Sequence, residues 1–371
     1  MTGLLRGIPR RPATFGWAAL VVVAVVLPYV FDDYQTFQFA RVTTTAIALA
    51  SLVLLTGWSG QVSAGHGALF GLGAYTCAIL VVHQHVPWVL AVLAAGVVSL
   101  LGGLLLGLPA LRLGGVNLAL VTLTLAVLFP LVAGRLTVTG GPFGLVIPPV
   151  RTPGGIQLSG AQFLYLVTLA VLGLLVVLLA LWTRGRTGRA LVALRSNPLM
   201  ARTQGVHTAR LAVLTVGISG AVAGIGGALN ALVVQSAIPD AYPFTLSLAL
   251  LTGAVVGGIR SWAGAILGAI YVVYVPQLVS DHVSSAIAGQ WSQVIYAVTL
   301  LLTLYFAPTG LAGLGRRLRS RTQRPAASPD GDPTAPPGPT ETPPHRRAEA
   351  APRPGPVRTP LDSPARMETQ R

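Results

Sequence analysis

The chain has 371 residues, 53% of them hydrophobic and 9% charged, and a mean hydropathy of +0.70; a soluble domain carries about 25% charged residues, so this is the composition of a polytopic membrane protein. Its 25 basic residues are all arginine, and without a lysine no GxxxxGK[ST] phosphate loop can form, which excludes a P-loop ATPase. One cysteine, Cys77 in an apolar run, leaves no intrachain disulfide and no cysteine metal cluster.

Taken in chain order, Arg6, Arg10 and Arg11 precede a first apolar span at about residues 15–31, closed by Asp32 and Asp33. The small-residue cleavage site of a signal peptide is not found there, so the span is read as retained. A second span covers about 40–56, with Arg41 at its outer edge. Residues 57–75 read GWSGQVSAGHGALFGLGAY and lead into a third apolar run ending near His83. A fourth span occupies about 87–109, followed by Arg112, and a fifth about 116–133, followed by Arg135. Gly and Pro punctuate residues 139–160, which read as an outer loop of turns. Further spans lie at about 163–182, 211–234, 245–259, 263–279 and 287–306. The third and eighth are Gly-rich, a composition that suits re-entrant or broken helices.

The expected fold class is all-α: a polytopic membrane helical bundle of about ten transmembrane helices over residues 1–315, followed by a Pro/Arg-rich tail over 316–371. Residues 325–371 hold 13 of the 28 prolines and few apolar residues, so they cannot bury a core and read as disordered.

The most basic internal connection is residues 183–210, which hold Arg184, Arg186, Arg189, Arg195, Arg202 and Arg210. Arginine concentrates in cytoplasmic connections, so this loop sets the orientation of the other segments. With both termini inside, 11 body arginines fall inside and three (Arg41, Arg135, Arg151) outside. Residues 189–203 are mostly helix-forming and suit a short helix under the bilayer, stopped at Gly205 with positive φ. The net charge of +15 comes from such connections and from the tail, so nucleic acid is not the expected partner; the lipid bilayer is.

Acidic residues are scarce where transport chemistry needs them. Ahead of the tail the acids are Asp32, Asp33, Asp240 and Asp281, all near span ends, whereas proton- and ion-driven carriers place carboxylates inside the membrane. Glycines four apart recur at 67/71, 103/107, 220/224, 253/257 and 264/268, giving flat helix faces for close packing. Two tetrapeptides, 57–60 and 217–220, read GxSG, the pattern around the serine of rhomboid-type intramembrane proteases, and His66 is the candidate base. Such a dyad needs its serine and histidine to meet from two helices; His66 shares a segment with Ser59, and no later span carries a histidine. No histidine pair has metal-helix spacing. His66, Gln61 and Asn117 suit either structural hydrogen bonding or the lining of a path, and a polar group in hydrocarbon needs partners in both roles.

Residues 57–75 resemble the signature GxxGQxSxGHxxFxGxGAY of permease subunits of branched-chain amino acid ABC importers, with Leu69-Phe70 at the family's apolar pair. The likeness continues through VNLALVTLTLAVL (116–128), TGGPFGL (139–145), TGRALVALRSNPLMARTQGV (187–206) and SLALLTGAVVGGIRSWAGAILGA (247–269). It covers about residues 40–310, and of the two permease types it resembles the one lettered M rather than H. One departure is that the family's basic loop carries acidic residues where Arg195 is followed here by Ser196-Asn197-Pro198.

The resemblance implies a non-catalytic, multi-pass subunit of the cell membrane with cytoplasmic termini and no cofactor. It would translocate branched-chain amino acids delivered by an extracytoplasmic solute-binding protein. Its other implied partners are a second, homologous permease and ABC ATPase subunits that hydrolyse the ATP. The related importers of urea or short amides share these motifs and are the alternative. On this resemblance Gly188, Arg189, Ala190, Arg195, Ala201 and Gly205 belong to the ATPase-coupling loop. Gly60, Gln61, Ser63, Gly65, His66, Gly71, Gly73, Tyr75 and Asn117 are signature residues able to line the path, and net-neutral zwitterions suit a path without fixed charges.

Overall fold

In hydrocarbon a backbone must satisfy its own N–H and C=O groups, which turns long uncharged apolar runs into helices. The structure, a computed structural model, describes residues 22–110, 115–150, 152 and 158–282 and isolated positions in 291–305; of 109, 110, 115–118 and 279–282 it describes the backbone only. Residues 15–21 of the expected first span, most of the tenth, Arg6, Arg10, Arg11, Arg112 and Arg151, the side chain of Asn117 and the tail 316–371 lie outside what it describes.

The helices are α1 (residues 22–30), α2 (Asp33–Leu52), α3 (His66–His83), α4 (Trp88–Ala110), α5 (Gly115–Ala133), α6 (Gly160–Arg184), α7 (Arg186–Ser196), α8 (Pro198–Thr203), α9 (Thr208–Val234), α10 (Phe244–Gly257) and α11 (Trp262–His282). A π-helix, Val53–Trp58, continues α2. Among the described residues six helical stretches are long and apolar enough to cross a membrane: those of α2, α3, α4, α6, α9 and the stretch Pro239–Gly257 that contains α10. The chain is a mostly helical, multi-pass membrane protein.

Burial sorts the helices into centre and rim. In α2, 14 of 20 residues are buried, so it runs through the middle, wrapped by α6, α9, α10 and α11. Conversely α4 and α6 turn Leu101, Leu105, Leu174 and Leu181 outward, which is stable only against hydrocarbon. The spaced glycines are the packing faces expected of them. A Cβ at Gly73 would run into the backbone of Gly224, one at Gly227 into the Phe70 carbonyl, and one at Gly268 into the Gly253 carbonyl. These contacts hold α3 against α9 and α10 against α11.

Two ends of the bundle can be told apart. At one, the Ser159 hydroxyl at the head of α6 donates to Asp33 Oδ1 at 2.7 Å, and His83 reaches the Val138 carbonyl at 3.1 Å. There too β1 (Leu145–Val146) pairs antiparallel with β2 (Ser236–Ala237), tying the Gly/Pro loop to the exit of α9. The opposite end carries the π-helix, α7, α8 and the α10–α11 turn.

The third span is interrupted, as its Gly-rich composition suits: residues 59–65 are neither helix nor strand. Two expectations change. First, α2 begins at Asp33, so Arg41 is not at an edge; it sits eight residues into the helix, about 12 Å at 1.5 Å per residue. Second, the basic loop holds two helices rather than one. Pro198 cannot continue α7, and Asn197 Oδ1 caps α8 by accepting from the N–H groups of Leu199 and Met200 at 3.1 and 3.2 Å.

Candidate functional site

The signature segment forms a joint. Where the π-helix ends, the Ser59 hydroxyl donates to the Leu55 carbonyl at 2.5 Å, and Gly60 takes φ +75°, a conformation that favours glycine. Gln61 Nε2 donates to Ser59 Oγ at 3.1 Å and to the Ala212 carbonyl on α9 at 3.4 Å. The amide of Ala64 donates to Thr122 on α5 at 3.1 Å, and that of Gly67 to Ser247 on α10 at 3.0 Å. The break is thus tied to three other helices, α5 through Ala64, α9 through Gln61 and α10 through Gly67.

His66 is fully buried at the centre of this joint. Its Nδ1 lies 3.1 Å from Ser63 Oγ and its Nε2 2.9 Å from Ser219 Oγ, so the structure does bring it to a GxSG serine from another helix. The surrounding bonds fix the polarity. Ser219 gives its proton to the Ser51 carbonyl at 2.8 Å, so Nε2 must donate to Ser219 while Nδ1 accepts from Ser63. A nucleophile requires the reverse, with the serine donating to the imidazole. With Ser219 also fully buried, this is a structural relay between α2, α3 and α9.

The basic connection docks on the same joint. Gly188 and Leu191 bury one side of α7, and Ala201 anchors α8. The exposed Arg195 reaches back from α7 to donate to the Gly57 carbonyl of the π-helix. Partial burial, and then the neighbouring Arg260, push the pKa of Arg195 down. Gly205 has φ +80° with open space around it, the helix stop expected there. Arg189 is exposed. The sequence reading missed Leu199 and Met200, which stand 71% and 62% exposed on α8; an apolar pair directly after a helix-capping Asn-Pro was the signal.

A cavity of about 870 Å³ opens on the other side of α2. α2 supplies Gln38 and Arg41, α9 supplies Asn230, α11 supplies Gln277, and Asp240 precedes α10. Of the signature segment 57–75, Phe70 lines it; Gly71 and Tyr75 pack against Phe129 and Tyr242, Gly65 against Thr122, and Gly60 against Arg195. The cavity wall holds two charged residues, Arg41 and Asp240.

Residues 36–304 match the family model described as "Branched-chain amino acid transport system / permease component". The chain belongs to this permease family. It is 29% identical over 323 residues to the high-affinity branched-chain amino acid transport system permease protein LivM of Salmonella typhimurium, covering 80% of this chain and 74% of that protein. The LivM protein of Escherichia coli K12 gives the same identity and coverage. A probable branched-chain amino acid transport permease protein LivH of Methanocaldococcus jannaschii is 29% identical over 154 residues, 41% of this chain and 48% of its own length. The longer match is to the M-type proteins, as the sequence motifs implied. No solved structure matches the chain significantly.

Proposed function

We propose that the chain is a membrane-spanning subunit of an ATP-driven importer and passes branched-chain amino acids across the cell membrane. The observation that carries this is the family match over residues 36–304, which takes in the joint, the cavity and the α7–α8 platform together. The chain supplies no ATPase chemistry; partner subunits bind and hydrolyse ATP, a second permease completes the pathway, and an extracytoplasmic binding protein delivers solute. The platform supports the coupling role. It offers the exposed Leu199 and Met200 for burial against a partner and Arg189 as a charge to meet an acidic face. Arg195 links that surface to the π-helix of the central helix, so displacing α7 pulls on the core of the bundle, a rigid-body mode of switching.

Proteoliposomes holding the chain with its ATPases, second permease and binding protein are expected to accumulate leucine only with ATP, and to lose accumulation when any component is omitted. ATP-independent uptake by the chain alone would overturn the assignment.

We further read the α7–α8 end as cytoplasmic, with ten crossings made by α1–α6, α9–α11 and the apolar run 287–306. The arginine asymmetry supports this. Cys77 is buried, so single introduced cysteines can report orientation. In intact cells a Phe143→Cys variant should react with an impermeant maleimide, because Phe143 is 88% exposed in the β1 loop. Ser196→Cys should react only after permeabilisation, and the opposite labelling would invert the topology.

A further inference from the structure

The cavity beside α2 is not accounted for by the coupling machinery. Charge inside a helical bundle is costly and marks a functional site by default. Arg41 is such a charge, half-buried in the cavity wall. Asp240 lies on another element of the same wall. Among the described residues the two do not pair with each other. Arg41 donates to Gln38 Oε1 at 3.2 Å, and its Cζ lies 6.0 Å from the Phe37 ring centroid. Gln38 is itself held by the Gln277 side chain and the Tyr34 hydroxyl, each at 3.0 Å. The guanidinium has five N–H donors, so this scaffold fixes its direction with one of them and leaves the others to the cavity.

We propose that this cavity binds the zwitterionic head of an amino acid, with Arg41 receiving the carboxylate, Asp240 the ammonium, and the apolar wall the side chain. This rests on reading the chain as an amino acid permease, and it adds the site. Phe70, Leu246, Leu250 and Val272 form the apolar surface an aliphatic side chain needs. About 870 Å³ falls within the roughly 300–1,000 Å³ of small-molecule sites. The first turn of α10, which has no side-chain cap, also faces the cavity through Thr245 and Leu246 and presents the positive end of its dipole to a carboxylate. A bidentate carboxylate on Arg41 is the strongest of these contacts.

The test measures weak binding by saturation-transfer NMR on the assembled importer in nanodiscs, without its binding protein. Three probes are leucine, 4-methylpentanoate, which lacks the ammonium, and 3-methylbutylamine, which lacks the carboxylate. Arg41→Gln should weaken leucine and 4-methylpentanoate at least tenfold and leave the amine unchanged. Asp240→Asn should weaken leucine and the amine at least tenfold and leave 4-methylpentanoate unchanged. Arg41→Lys, which keeps the charge but not the bidentate fork, should restore only part of the leucine affinity. Asp240 is exposed, so its variant reads out the site even if Arg41→Gln fails to assemble. No leucine binding by the wild type, unchanged leucine affinity in both variants, or equal weakening of all three probes (as for charges that contact the second permease) would overturn the site. Leucine uptake by the wild-type importer, assayed in parallel with its binding protein, separates the two readings: uptake with a failed site sinks only the site, whereas no uptake sinks the permease reading as well.

Discussion

Gly73→Val is expected to leave almost no folded protein in the membrane. Gly73 on α3 faces Gly224 on α9, and an added Cβ would overlap the Gly224 backbone, carbonyl oxygen included. Overpacking in a core costs about 1–3 kcal/mol when side chains can move aside. Here the obstacle is main chain, which has no rotamer to change, so the helices must part. Parting them also loosens the Gly227 contact with Phe70 and the His66–Ser219 bond. Against a total stability of about 5–15 kcal/mol, the combined loss is decisive. Gly173→Val on α6 is the control, because nothing lies within 4 Å of its added Cβ. Size-exclusion chromatography of a fluorescent fusion should show the Gly173 variant at wild-type yield and the Gly73 variant nearly absent. A Gly73 variant at wild-type yield would mean that the α3–α9 crossing is not a fixed contact.

The second large effect concerns transport rather than folding. Arg195→Ala should reduce ATP-dependent uptake more than tenfold while the complex still assembles and hydrolyses ATP. A hydrogen bond from a charged donor is worth about 1.5–3 kcal/mol, and about 1.4 kcal/mol is a tenfold change in an equilibrium. Losing the Arg195 contact with the Gly57 carbonyl therefore shifts the linkage between platform and bundle by about tenfold or more. Co-purification with the ATPase and the rate of phosphate release report assembly and hydrolysis; uptake reports linkage. Normal uptake in a fully assembled Arg195→Ala complex would show that the platform acts on the bundle through other contacts.

Hydropathy places most of the described spans, α2 excepted, to within a few residues, because runs such as 88–110 and 160–184 face lipid and their composition reports that environment directly. The glycine pairs were legible for the same reason: a flat face needs no knowledge of its partner. What could not be read was set by distant residues. Arg41 reads as a span edge because the largely polar residues 33–38 hide the first turns of α2, whose Gln38 is held by Gln277, 239 positions away. The break at 59–65 is stable through Thr122, Ser219 and Ser247, none of which marks the local sequence. Spacing within one segment speaks only against Ser59 as the partner of His66; the fold supplies Ser219 from α9 instead, with the reverse of the polarity that catalysis would need. The split between α7 and α8 is written locally, in the helix-capping Asn197 and the helix-starting Pro198.

The joint at the head of α3 also orders events in time. Its partners are synthesised late: Thr122 follows Ala64 by 58 residues, Ser219 follows His66 by 153, and Ser247 follows Gly67 by 180. At roughly 5–20 residues per second, the last of these emerges on the order of 10–40 s after the segment it completes. Until then the amides of Ala64 and Gly67 and the Nε2 of His66 lack the partners they have in the folded bundle. The third segment must therefore wait beside the insertion machinery, or in water, until α9 and α10 arrive. Biogenesis of this bundle is governed by its tenth helix as much as by its first.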